Sequence, residues 1–344
     1  MEEEINIYLS AVFLNVVYRG VCSMGTDLDI SIVIPMFNES GNIGPLISQI
    51  TDVMANQDLE YEVLLIDDGS HDQTWLQVLE VARNIKEVQG IKLSRNFGHQ
   101  HALLAGLNKA QGKAVISMDA DLQHPPAVLP ELISHWQAGS KIVYTKRCSI
   151  QSLSAFKRKT SSWFYSVFSW LSGVTISEGS SDFRLIDQQV LKELIKFNDI
   201  DPFLRGAVRW LGFDEVSSTV EFDLGERLCG ESEYTLARMM KFANSAIISF
   251  STKPLIVGIW IGLITSLLAF TELAYIVVQF FMGNTVAGWA STVGIMALLF
   301  GILFVLLGIL GIYLARIHTT LQGRPRFVIE TFTANGHKSK GEKA

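Results

Sequence analysis

Short apolar runs alternate with helical stripes through the first two thirds of the chain, and two long unbroken apolar runs follow. Ile30–Ile34 reads ISIVI, a β-branched run closed by Pro35 that predicts a buried strand. Asn42–Met54 has helical spacing, and Tyr61–Ile66 is a second strand ended by Asp-Asp-Gly-Ser. Asp72–Asn84 reads as a helix with Ser70 or Asp72 as its N-cap. Gly90–Leu93 and Ala114–Met118 are further short strands, with a helix near His101–Ala110 between them. This alternation predicts an α/β body on a mainly parallel sheet covered on both faces. Such sheets bind ligands beyond the carboxyl ends of their strands. The polar clusters Phe37–Ser40, Asp67–Ser70 and Asp119–Gln123 fall at those ends.

Pro254–Met282 and Trp289–Ala315 each exceed the ~20 apolar residues needed to cross a ~30 Å hydrocarbon core. The uncharged link between them is too short to be a domain, so the pattern predicts a two-helix transmembrane hairpin. Lys253 precedes the first helix; Arg316, Arg324, Arg326, Lys338, Lys340 and Lys343 follow the second, against Glu330 and Glu342. The positive-inside rule then puts both ends and the preceding body in the cytoplasm, at an inner or plasma membrane.

Composition sharpens this division. Of 344 residues, 49% are hydrophobic and 18% charged, with a net charge of −6, and Glu272 is the one charged residue between Pro254 and Ala315. That excludes a plain soluble enzyme and equally a many-spanning transporter. Glu272 itself suits a functional carboxylate, a subunit contact or a protonated side chain. Cys22, Cys148 and Cys229 are odd in number and lack metal-ligand spacing, so they read as free thiols. The expected organisation is an extension of no assigned role at 1–27, a catalytic body at 28–250, helices at 254–282 and 289–315, and a basic tail at 316–344. The apolar Ile5–Val17 follows three glutamates, which makes a poor signal peptide. The last dozen residues read as disordered.

Within the body, residues 154–173 carry Phe156, Trp163, Phe164, Val167, Phe168 and Leu171 on one helical stripe, with Lys157, Arg158 and Lys159 at its start. With a membrane anchor already expected, an interfacial helix is favoured over an ordinary core helix.

The chemistry centres on Asp119-Ala120-Asp121-Leu122-Gln123. Carboxylates two apart at a strand end can converge on one hard cation, and Mg²⁺ commonly binds through one or two carboxylates plus substrate phosphates. A lone Asp-x-Asp is weak, but its place in the strand order raises it. Asp67 and Asp68 suit either turn chemistry or acceptance of hydrogen bonds from a nucleobase or ribose. Glu39 reads similarly, with Phe37 as a wall for the base. Together they point to a nucleotide pocket.

IVIPMFNES, LLIDDGSHDQT, LSRNFGHQ and MDADLQHPP, in this order and spacing, resemble the family 2 glycosyltransferases of the GT-A fold, whose nucleotide-diphospho-sugar domain is Rossmann-like. Within these, the chain is similar to the polyprenyl-phosphate glycosyltransferases: dolichol-phosphate mannose synthase and, more closely, the bactoprenol (undecaprenyl-phosphate) glucosyltransferases. SDFRL, ISFSTKPL and the two-helix C-terminus carry that closer likeness, which covers roughly residues 28–330.

The resemblance implies roles residue by residue. Pro35, Phe37, Glu39, Ile66, Asp68, Asp119 and Ala120 match nucleotide-side positions, with Phe37 where Tyr is usual. Asp119, Asp121 and Gln123 match metal ligands for Mg²⁺ or Mn²⁺, Asp121 and Gln123 most directly. Arg147 and Arg227 match cations near the phosphates, and Lys157 and Arg158 are expected to meet the acceptor phosphate or lipid headgroups. Glu233 departs from the pattern, which has Lys there; Arg205, Arg209 or Arg238 could substitute. Asp121, Asp182 and Arg227 are the expected catalytic residues. Asp182 would orient sugar or acceptor, or form an N-cap or a salt bridge with Arg184.

The implied reaction is inverting transfer of a hexose, foremost glucose from UDP-glucose, to a polyprenyl phosphate. The implied partners are the nucleotide sugar, the lipid phosphate, the bilayer and a second copy through the membrane helices, with no nucleic acid. A processive polysaccharide synthase fits less well: Arg209-Trp210 is present, but Gly206 stands where its motif needs Gln. A non-catalytic scaffold or flippase partner is the remaining alternative.

Overall fold

The computed structural model describes residues 28–147, 180–197, 202–223, 251–283 and 288–333. The expected helix at 154–173 with Lys157, Arg158 and Lys159, the stretch holding Arg227, Glu233 and Arg238, all three cysteines, residues 1–27 and the last eleven residues lie outside them.

The eight described strands are β1 (Ile30–Met36), β2 (Tyr61–Asp67), β3 (Val88–Leu93), β4 (Ala114–Ser117), β5 (Ile142–Arg147), β6 (Ser180–Asp187), β7 (Ser217–Phe222) and β8 (Ile329–Phe332). They form one sheet in the order β7-β5-β6-β4-β1-β2-β3-β8. The expected parallel arrangement holds for β3, β2, β1 and β4. Outside them β6 is antiparallel to β4 and β5, β7 is parallel to β5, and β8 is antiparallel to β3. The sheet is therefore mixed. The chain winds from β1 to β3 in one direction and then returns to place β4 on β1's other side. That reversal opens a crevice beyond the carboxyl ends of β1 and β4.

Successive side chains of a strand point to opposite faces, and both faces are buried. Ile30, Ile32 and Ile34 of β1 pack in one cluster with Leu46 and Ile50 of α1 (Ile43–Met54). Val33 and Ile66 pack in the other with Leu103 and Leu107 of α3 (His99–Lys109). Between them in the chain, α2 (Thr74–Asn84) adds Val78 to the first cluster, as does α4 (Leu129–Gln137) with Leu132. The second cluster is completed by α5 (Gln188–Ile195) and α6 (Leu204–Trp210).

Pro35 does not close β1, which runs on to Met36. Alternate residues of a parallel strand address opposite neighbours: the Met36 carbonyl takes the Asp68 N–H at 2.9 Å, and the Val33 carbonyl takes the Met118 N–H at 3.1 Å. Pro35 therefore faces β4's side, beyond β4's last paired residue, Ser117. Its missing N–H costs no ladder bond.

After the body come α7 (Lys253–Phe281) and α8 (Trp289–Leu321), both long and apolar enough to cross a membrane. Their side chains are not a soluble core: Leu267, Phe270 and Phe304 are each about 70% exposed. A β-carbon at Gly258 would sit 3.1 Å from Leu306 of α8, so the helices approach closely there. The Tyr313 hydroxyl donates to the Ser251 carbonyl at 2.7 Å, pinning the second helix to the start of the first. α8 continues past Ala315 to Leu321, and within this last stretch the Thr319 and Thr320 hydroxyls donate to the carbonyls of Ala315 and Arg316.

The stretch expected as a basic tail from 316 holds a strand that the sequence pattern does not announce, and the final residues expected to be disordered lie outside the described ones. Residues 329–332 form β8 on the edge of β3, with Thr333 N–H on the Gly90 carbonyl at 2.9 Å and Lys92 paired to Glu330 at 3.0 Å. The chain leaves the body into two long helices and then returns to it.

Candidate active site

Three strand ends build the crevice rim. After β1 the backbone turns at Asn38, whose φ of +56° is one Asn tolerates. Asn38 N–H donates to Ser70 Oγ at 2.9 Å, and Asn38 Oδ1 accepts from His71 N–H at 3.0 Å. Phe37 is left 40% exposed, as a wall for a base requires. Glu39 accepts from Asn42 Nδ2 at 2.5 Å.

After β2, Asp67 accepts Ser70 N–H through Oδ1 at 3.0 Å, the turn chemistry its sequence suggests. Asp68 is buried, and its carboxylate accepts Phe97 N–H at 2.7 Å and Gly98 N–H at 2.8 Å. Burial pushes its pKa up, and the two amides offset part of that rise. Asp68 thus joins the turn after β2 to the loop after β3. Gly69, at φ +69°, lets them meet: a β-carbon there would lie 2.5 Å from the Arg95 carbonyl carbon. The Ile66 side chain is fully buried in the second cluster, which leaves only its backbone for a ligand.

After β4 comes the acidic loop. Asp119 is one third exposed, Ala120 and Asp121 are buried, and Asp121 Oδ1 accepts Gln123 N–H at 3.1 Å. Leu122 has φ +62°, costly for a branched side chain and held by burial in the first cluster. Among the described residues, Asn38 and Leu122 are the non-glycines with positive φ, and they flank the same crevice.

His124 braces this loop. Its Nδ1 accepts the Asp119 N–H at 2.9 Å, so the ring is neutral and carries its proton on Nε2, which meets Ser181 Oγ at 2.7 Å. The ring is wholly buried and stacks on Phe183 at 5.0 Å. Burial first, then the charge of Arg147, favour the neutral form against nearby Asp119. Arg147 is the last residue of β5.

Asp182 lies in β6, 4% exposed. Arg184 Nη2 donates to it at 2.6 Å, Arg205 Nε and Nη2 at 2.9 and 2.8 Å, and Gln100 Nε2 at 3.1 Å. Burial alone would raise its pKa, but Arg205, His99 and Arg184 outweigh that and hold the carboxyl well below the usual range. The salt bridge with Arg184, one of the expected readings of Asp182, is present. The Asp182 oxygens hold Arg205 in place rather than standing open to a substrate. His99 bridges this cluster to the acidic loop, with Nε2 3.6 Å from Asp119 and 3.7 Å from Asp182. Desolvation works against its protonation, but those carboxylates raise its pKa overall.

The crevice therefore brings together Phe37, Glu39, Asp68, Asp119, Asp121, Gln123 and Asp182, with Arg205 tied to Asp182; Arg227, Lys157 and Arg158 lie outside the described residues. Sequence reasoning missed His99, Gln100 and His124, although all three stand inside the LSRNFGHQ and MDADLQHPP segments. Among the described residues no three His, Cys, Asp or Glu side chains could hold a metal alone. Asp119 and Asp121 are oxygen donors of the kind that Mg²⁺ or Mn²⁺ takes together with phosphates and water.

Residues 31–197 match the family model "Glycosyl transferase family 2". The chain is 35% identical to the uncharacterized glycosyltransferase YkcC of Bacillus subtilis (strain 168), over 89% of this chain and 95% of that one. It is 34% identical to the SfII prophage-derived bactoprenol glucosyl transferase of Shigella flexneri, over 88% and 98%. The glucosyl-3-phosphoglycerate synthase of Mycobacterium tuberculosis, solved with Mn²⁺, uridine-diphosphate and phosphoglyceric acid, aligns over 64% of this chain and 76% of its own, with a TM-score of 0.48 and 18% identity.

Proposed function

Because this chain belongs to glycosyl transferase family 2 and is a GT-A glycosyltransferase, we propose that it moves a hexose from a nucleotide sugar to a polyprenyl phosphate at the cytoplasmic membrane face. Glucose from UDP-glucose is the donor pairing we favour. The observation that carries this reading is the acidic loop at the β1/β4 crevice of a body whose chain continues into two unburied apolar helices. The likeness to a bactoprenol glucosyl transferase supports the acceptor. A soluble donor and a lipid acceptor must meet where a polar cleft adjoins a bilayer.

The acceptor chemistry fits the side chains. A phosphate monoester has a second pKa near ~6, so at neutral pH it is mostly dianionic and needs no strong base. Asp182, held ionised and fully hydrogen-bonded, is not a base; it orients Arg205 and, with Asp119, flanks His99. Asp119 and Asp121 would hold a divalent cation, with Gln123 beside them. Such a cation supplies neutralisation of charge on the departing diphosphate. Phe37, Glu39 and Asp68 line the donor side, and Arg147 and Arg205 add positive charge near two anionic groups that must approach in line. Direct displacement inverts the anomeric carbon.

The return of β8 to β3 supports a hairpin with both ends on one side of the membrane, in agreement with the flanking Lys and Arg residues. The test is to incubate membranes holding the chain with a panel of labelled sugar nucleotides and undecaprenyl phosphate, and to repeat it with Asp121→Asn. Lipid-linked label from one donor, reduced by about 10²-fold or more in the variant, is expected. Undiminished product from the variant would remove the metal assignment, and no lipid product from any donor would remove the acceptor.

A further inference from the structure

β8 covers an edge strand, and an exposed edge is a liability that proteins cover or blunt. Edge cover accounts for the ladder bonds, but the contacts of this segment extend further. The Val328 carbonyl accepts Ser94 N–H at 2.9 Å, at the first residue of the loop that follows β3. Phe327 and Ile329 pack against the same buried cluster as Phe97 of that loop. Arg326 donates to the Phe197 carbonyl at the end of α5. At the other end of β8, Gly90 N–H donates to Thr333 Oγ1 at 2.6 Å, and Lys109 lies 5.9 Å from the centre of the Phe332 ring.

The loop so held is the one that feeds the donor side. Phe97 and Gly98 donate to Asp68, Gly69 lies against Arg95, and Ser70 and His71 bond to Asn38 beside Phe37. A run of short contacts thus passes from Val328 through the loop after β3 and the turn after β2 to the end of β1.

We propose that residues 326–333 are a positioning strap for the donor site. They fix the loop 94–98, and through Asp68 and Asn38 the spacing of the nucleotide-side rim, so that chain emerging from the membrane hairpin sets the geometry of a pocket on the body. The donor role of that rim rests on the function proposed above; the mechanical link does not.

The experiment uses the full chain in lipid nanodiscs. Glu330→Lys with Thr333→Val sets like charges opposite at Lys92 and removes the hydroxyl from Gly90, leaving the crevice residues unchanged. We expect backbone hydrogen exchange across residues 94–98, read without donor, to quicken about tenfold. KM for UDP-glucose should rise about fivefold, with kcat held within about twofold. Pairing Glu330→Lys with Lys92→Glu, with Thr333 kept, should restore both readouts. Unchanged exchange in the first variant overturns the strap whatever the donor result, as does a lowered melting temperature with exchange and KM unaltered. If the intact chain turns over no UDP-glucose, that donor falls and exchange alone decides the strap.

Discussion

The backbone N–H of Asp119 donates to Nδ1 of His124 at 2.9 Å, which makes a buried neutral imidazole the support on which the acidic loop rests. His124→Phe would keep the stacking on Phe183 but leave the Asp119 amide and Ser181 Oγ without this partner. We expect a loss of about 1–3 kcal/mol in stability, the cost of stranding buried polar groups. Mn²⁺-dependent donor binding should weaken as well. Calorimetric titration with and without the metal checks this; binding that keeps its metal dependence at full strength would separate His124 from the loop.

Asp182→Asn should be more damaging. It leaves Arg184, itself 3% exposed, without its counter-charge, and breaking a buried pair costs roughly 3–5 kcal/mol. Arg205→Gln removes a partner that still reaches solvent, so its stability cost should be smaller while turnover falls. Denaturant unfolding of both purified variants, set beside their activity, gives the comparison.

The same carboxyl predicts an acid limb. Its folded pKa is well below the unfolded value of about 3.9, so the unfolded chain binds more protons in that window. The contribution of Asp182 to stability is fully present above the unfolded pKa and is lost as pH falls through it toward the folded one. Stability measured from pH 5 to pH 3 should drop less steeply in Asp182→Asn than in the parent chain. Equal slopes would mean other carboxylates carry the acid response.

Gly69→Ala tests the close approach of two loops. The substitution combines a strained φ of +69° with a β-carbon 2.5 Å from the Arg95 backbone, so one loop must move. We expect about 1–3 kcal/mol of destabilisation and a raised donor KM, because the Asp68 bonds to Phe97 and Gly98 span the same gap. Steady-state kinetics over a donor series reads the effect directly.

Tyr313→Phe removes the 2.7 Å bond to the Ser251 carbonyl where the two long helices begin and end. Donor binding should be unaffected, since that site lies on the body. Turnover on the lipid acceptor should fall severalfold, as the two helices loosen against each other. A parallel fall in donor affinity would contradict this division.

The strands β1 to β4 were legible because each is a short β-branched run between turn residues, and both long helices because nothing interrupts their apolar length. β8 was not. Ile329–Phe332 is four residues in a basic context, and its reason for being a strand is β3, 243 residues away from its Thr333 contact. The acidic loop could be placed from its position in the strand order. The Asp182 cluster could not be assembled, because Gln100, Arg184 and Arg205 come from three elements that only the fold brings together. His124 sat in plain view, one residue past Gln123, but a buried brace and an exposed ligand look alike as a single letter.

The order in which a ribosome makes these residues gives the last strand a further meaning. β3 emerges early, whereas β8 follows both long apolar helices. Until β8 has been made, the edge of β3 stays bare while both long helices are synthesised. The sheet can therefore be completed only after both long helices have been synthesised, and a chain stalled or truncated within them would carry an open edge, a ready template for pairing with other chains.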